Sequence, residues 1–153
     1  MYAVIVGSIV DEQTFSGIGY EMPEGIPFPV SGMAEVYFDV YDGMDFLADF
    51  RHVRFEGLGS AVVLQTVSLA LIAHFETFNI GGCVFQAAAG GDVDIGRRVT
   101  LEEIYDYMLG LKSEPRYNVR TGLPKKAPRP LIPDELCAYK TITKGRACYV
   151  VLQ

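Results

Sequence analysis

The chain has 153 residues, 50% hydrophobic and 21% charged, with a net charge of −6. That length fits a single domain with a sizeable core, and the composition excludes a wholly disordered chain. The acidic balance excludes a general nucleic-acid binder, which as a rule is basic.

Tyr2 to Val10 is β-branched and bounded by Asp11-Glu12, so it predicts a first strand. The same N-terminus lacks the basic start of a signal peptide. Phe15 to Gly32 is rich in glycine and carries Pro23, Pro27 and Pro29, which predicts an irregular loop. Ala34 to Tyr41 alternates imperfectly and reads as a strand, followed by the hairpin signal Asp42-Gly43. A further strand is expected within Asp45 to Phe55.

A nearly unbroken apolar run then extends from Ser60 to Phe78 and predicts a long helix, with Ser60 as its N-cap. The run approaches the length that crosses a bilayer. It contains Gln65, Thr66, Ser68, His74 and Glu76, however, and lacks flanking basic clusters, so a buried helix without membrane contact is expected. Leu64, Val67, Leu71 and Phe75 share one face and should be among its least exposed side chains. Asn79-Ile80-Gly81-Gly82 stops the helix.

Cys83 to Ala89 is short, apolar and bounded by Gly90-Gly91, as a central strand would be. Strand, helix and strand at this spacing suggest a parallel crossover attached to an antiparallel meander. Thr100 with Glu103 forms a capping box for a helix over Leu101 to Leu111. Residues Lys112 to Arg129 hold six of the thirteen basic residues and one acid, in a Pro-rich basic loop that continues to Pro133. Leu136 to Thr141 and Ala147 to Leu152 predict a closing hairpin around Lys144-Gly145. The fold class is therefore α/β in the α+β sense: one domain with a mixed, mostly antiparallel sheet of about six strands and two main helices.

Cys83, Cys137 and Cys148 are odd in number and lack metal-type spacing, so they read as reduced core residues of a cytoplasmic protein. No Ser-His-Asp pattern, zinc spacing or Walker loop is present, and the glycine pattern lacks the third glycine of a Rossmann turn.

The stretch that carries chemistry is Arg54-Phe55-Glu56-Gly57-Leu58-Gly59-Ser60. Two glycines one residue apart make a tight turn with open backbone N–H groups. A helix starting there aims those groups and its positive dipole end at whatever lies over the turn, which is the physics of a phosphate cradle. The plainer reading is that Gly57 and Gly59 only turn the chain into a buried helix.

This order of elements, with Arg-x-x-Gly-x-Gly before the long helix, resembles the GNAT family of N-acetyltransferases, in particular its shortened phage-type members. The resemblance spans roughly Val36 to Leu152. It implies that Arg54, Phe55, Gly57, Leu58, Gly59 and Ser60 hold the pyrophosphate of acetyl-CoA or another acyl-CoA. It also implies that Tyr105, in Ile104-Tyr105-Asp106-Tyr107, protonates the departing thiolate, with Tyr107 next in line. Gly110 lies one place beyond the family spacing.

Glu56 is a candidate amine-deprotonating base, with Asp45 and Asp49 nearby. An oxygen-polarising backbone N–H is expected on the Cys83–Ala89 strand. The plainer readings are a core-edge Tyr105 at helical spacing and a solvated Glu56. His74 reads as a buried histidine, and His52 is the second of the chain's two.

The expected activity is acyl transfer to an amine on a small molecule or protein. The alternative keeps the fold without the chemistry: an acidic accessory or inhibitor protein that binds a basic protein partner. Nucleic acid and membrane are not expected as partners, and a homodimer is left open.

Overall fold

The structure, a computed structural model, describes residues 2–41, 46–47, 60–86, 101–112, 120–122, 130 and 132–153. Nine elements follow in chain order. They are β1 (Tyr2–Ile9), α1 (Glu12–Ile18), β2 (Met33–Tyr41), β3 (Phe46–Leu47), α2 (Ser60–Phe78), β4 (Gly82–Gln86), α3 (Leu101–Met108), β5 (Cys137–Thr143) and β6 (Arg146–Leu152).

The strands form one six-stranded sheet in the order β1-β2-β4-β6-β5, with β3 pairing β2 beside that path. Every pairing is antiparallel except β2 with β4, which is parallel. The long helix α2 lies between these two parallel strands in the chain. Parallel neighbours need such a crossover because the chain must return to the same end of the sheet. The β5–β6 hairpin closes through Lys144 (φ 51°) and Gly145 (φ 74°). Two successive positive φ values are what a two-residue type I′ turn requires, and they match the twist of the flanking strands.

Strand alternation divides the side chains between two cores. On one face Met33, Val84, Cys148 and Val150 pack with Ile9, Phe15 and Tyr20. Phe15, on α1, has no exposed surface, so α1 covers this face. On the other face Ala34, Val36, Cys83 and Val151 pack with Phe75 of α2. Tyr105 of α3 joins the same side through Ala147 and Tyr149. Both main helices therefore share one face, as expected. Among the described residues, no helix is long and apolar enough to cross a membrane.

Several boundaries differ from the sequence expectation. The segment expected to be loop from Phe15 begins inside α1. Asp11 caps this helix by accepting a 2.7 Å hydrogen bond from the Thr14 backbone N–H, and Gly19 ends it at φ 100°. These are the standard devices for the free amide and carbonyl groups at helix ends. α3 stops at Met108, and Gly110 (φ 73°) supplies the left-handed turn beyond it. Asn79 (φ 49°) ends α2 as expected.

The expected face of α2 holds for Phe75, which is buried. Val67 and Leu71 are half-buried, and the Leu64 side chain lies outside the described residues. Cys83 and Cys148 are buried and unbridged, but Cys137 is exposed at the first position of an edge strand, which corrects its expected place in the core. Asp42-Gly43 and Thr100 lie outside the described residues.

Candidate functional site

The parallel pair β2 and β4 runs together for only two residue pairs, Ala34↔Cys83 and Glu35↔Val84. Among the described residues no further pair joins these two strands. Phe85 and Gln86 stay paired to Tyr149 and Cys148 of β6 but have no ladder partner on β2. The far end of β2 turns instead to β3, through Val40↔Leu47 and Tyr41↔Phe46. The crossover topology starts α2 at this same, carboxyl end of the two strands. A parallel pair that opens beside a helix N-terminus is a recurrent place for ligands in α/β sheets.

On the helix-bearing face next to this opening lies a cavity of about 60 Å³. Val36, Leu71, Phe75, Phe85 and Tyr105 contribute to its wall, so β2, α2, β4 and α3 all meet there. The lining is mainly apolar, with Ser68, Cys83 and the Tyr105 side chain as its polar contributors.

Tyr105 is 4% exposed and sits edge-on to Phe85, with ring centroids 5.3 Å apart, and to Tyr149 at 5.5 Å. Burial raises its phenol pKa well above the ordinary value, because the phenolate loses its hydration. The hydroxyl therefore stays protonated through neutral pH and holds its proton more tightly than a solvated phenol does.

The helix carrying Tyr105 is fixed to the sheet by polar contacts as well as apolar ones. The fully buried Tyr149 lies within 2.9 Å of Asp106 Oδ1 and 3.0 Å of the Glu102 carbonyl, so its hydroxyl donates to either. Lys140 Nζ pairs with Asp106 Oδ2 at 2.8 Å and Glu102 Oε1 at 2.7 Å. Burial, then the Asp106 acceptor, raises the Tyr149 phenol pKa.

The structure brings Tyr105 to the cavity wall and places Ser60 as the first residue of α2. Arg54, Phe55, Glu56, Gly57, Leu58 and Gly59 lie outside the described residues, as do Asp45, Asp49 and His52. Tyr107, two residues along α3, is also buried, and Lys112 Nζ lies 5.6 Å from its ring centroid. His74 is half-buried and packs against Phe78 at 4.5 Å between ring centroids. Among the described residues, no group of three or more His, Cys, Asp or Glu could hold a metal.

A second polar cluster, on the opposite face, was not expected. Glu35 is only 9% exposed, and Tyr20 donates a 2.6 Å hydrogen bond to its Oε1. Burial, and then this carboxylate, push the Tyr20 phenol up and hold it neutral. Burial and Glu35 also push Tyr37 up to about 12. The cluster anchors the segment after α1 onto the centre of the sheet. Its signal in the sequence was an acid, Glu35, between apolar neighbours in a strand that also carries Asp39. Tyr20, fifteen residues away in a Gly- and Pro-rich stretch, gave no sign of being its partner.

No family model, curated protein or solved structure matches the chain.

Proposed function

We propose that the protein binds acetyl-CoA, or another acyl-CoA, and transfers the acyl group to an amine on a small molecule or protein. The observation that carries this reading is the opening between β2 and β4, with Tyr105 on the wall of the apolar cavity beside it. The separated edge of β4 offers backbone groups to an extended, amide-bearing chain, as a sheet edge does to an added strand. The cofactor's arm has that chemistry. The mainly apolar cavity of about 60 Å³ suits an acyl group of two carbons better than a long chain.

In the reaction, the amine nitrogen forms a bond to the thioester carbonyl carbon while the carbon–sulfur bond breaks. The amine proton passes to a base, for which Glu56 remains the candidate, and the carbonyl oxygen is polarised by a backbone N–H of β4. The departing thiolate takes its proton from Tyr105. A phenol is already neutral at neutral pH; burial raises its pKa further, so proton transfer from Tyr105 has to be concerted with departure of the thiolate. The loop Arg54 to Ser60 would hold the pyrophosphate at the start of α2.

One observation favours a second reading, in which the fold binds a protein partner without catalysis. Among the described residues lining the cavity, none is a carboxylate or an imidazole. An acidic chain of net charge −6 suits a basic partner face. The two readings separate in an assay for thiol release from acetyl-CoA against a broad amine panel. Amine-dependent release supports the first. No release with any amine, from a protein that still binds a basic partner, supports the second.

A further inference from the structure

Among the described residues the main strand path ends on β1 and β5, and these two end strands are built differently. β5 carries Lys140, held by Glu102 and Asp106. β1, Tyr2-Ala3-Val4-Ile5-Val6-Gly7-Ser8-Ile9, carries neither charge nor proline. It pairs with β2 without interruption, from Tyr2↔Val40 to Ile9↔Met33, so no bulge bends it away. Val4 and Ile5 are 37% and 41% exposed, and Tyr37, directly opposite Ile5 on β2, is 50% exposed. Among the described residues, no strand pairs with the outer side of β1. Natural sheets usually protect such an edge with lysine, proline, a bulge or a cover, because its N–H and C=O groups invite another strand.

The sequence of β1 identifies the strand that fits. It is nearly symmetric about Ile5. When the strand meets its own copy antiparallel about that residue, Ile5 faces Ile5, Val4 faces Val6, Ala3 faces Gly7 and Tyr2 faces Ser8. At the three inner pairings β-branched residues meet β-branched residues and small meets small, while Tyr2 and Ser8 at the ends are unmatched; directly opposed side chains are the unit of sheet stabilisation. Two chains of net charge −6 repel each other over most of their surfaces. An uncharged strand is where they can approach at least cost.

We propose that β1 is the pairing edge of a two-fold homodimer, in which β1 of a second copy runs antiparallel along it about an axis at Ile5 and joins the two sheets into one. This proposal is independent of the acyl-transfer reading.

The test is the solution mass by light scattering over a range of concentrations, together with cysteine cross-linking. The parent protein should approach twice the 16.9 kDa chain mass as concentration rises. Ile5→Lys sets two like charges opposite each other at the axis and should return the mass to that of one chain, with its circular dichroism unchanged. In a Cys137→Ser background, which removes the exposed native thiol, Ile5→Cys should cross-link readily on mild oxidation. Val10→Cys should not, because two positions each five residues from the axis lie about 34 Å apart. A single-chain mass up to millimolar protein overturns the proposal and leaves the edge to an extended segment of another protein. A folded Ile5→Lys dimer overturns it as well, as does cross-linking at position 10 as ready as at position 5.

Discussion

Tyr105 and Tyr149 touch each other, yet their hydroxyls serve different ends. The Tyr149 hydroxyl is held by Asp106 and the Glu102 carbonyl. Tyr149→Phe leaves those acceptors short of a donor beneath α3. It should lower unfolding stability by about 1.5–3 kcal/mol, the usual range for a hydrogen bond to a charged group, measured by urea titration. A variant as stable as the parent would mean that the bond does not anchor the helix. For Tyr105 the expectation is the reverse. On the proposed acyl-transfer reading, Tyr105→Phe removes only the proton donor, so transfer should slow by about ten- to ten-thousand-fold while acetyl-CoA affinity stays nearly constant. An unchanged rate in the folded variant would remove Tyr105 as the acid and pass the role to Tyr107.

At the scale of elements, β1, β2, α2, β4 and the closing hairpin were legible because each is marked by local chemistry. For α2 that was an apolar run with Asn79 at its end, and for the hairpin it was Lys144-Gly145. α1 was missed, although Asp11 at its cap and Gly19 at its end were both in view. Seven residues are too few to show a helical period among the glycines and prolines that follow. A parallel crossover into β4 followed from the spacing, but it was drawn from the strand expected within Asp45 to Phe55, and the parallel partner of β4 is β2. The early end of that pairing at Glu35↔Val84 did not follow, because where two strands part depends on tertiary packing that no local pattern encodes. The candidate site was legible in part: Tyr105 came from the resemblance, whereas the cavity beside it is assembled from β2, α2, β4, α3, β6 and the segment before β5.

The β4–β6 contact gives a test at the same scale. A Cβ at Gly82 would come within 2.5 Å of the Val151 carbonyl oxygen and 2.7 Å of Leu152 Cδ2. Backbone blocks the first approach, so β4 has to shift against β6. Gly82→Ala should therefore cost about 1–3 kcal/mol, the range for overpacking a well-filled core, as read by urea titration. Unchanged stability would mean that β4 and β6 are less closely packed than described.

For the whole molecule, burial of phenols and thiols makes stability depend on alkaline pH. Burial pushes Cys83 up to about 12 and raises Tyr20, Tyr105, Tyr149 and Cys148 as well. Each folded-state value lies above its unfolded value. The unfolded chain therefore loses protons first, and stability that is complete below about pH 8.5 falls as pH rises through the thiol and phenol range. Each group ionised only in the unfolded state adds a slope of about 1.4 kcal/mol per pH unit. Urea midpoints at pH 7, 9 and 10.5 should show an accelerating fall, and a midpoint constant to pH 10.5 would mean that these groups are open to water.

The central claim is that this fold holds an acyl-CoA where β2 and β4 part, and thermal unfolding with and without acetyl-CoA tests it most directly. At a hundred times the dissociation constant the ligand should add about 2.7 kcal/mol. For a chain of this length that corresponds to a rise in Tm of roughly 5–10 °C. Gly59→Val, in the proposed pyrophosphate loop, should remain folded and lose that rise, because a β-branched side chain crowds the approach of the phosphates. A parent Tm unchanged at millimolar acetyl-CoA would contradict the account, and a full shift retained by Gly59→Val would place the cofactor away from the start of α2.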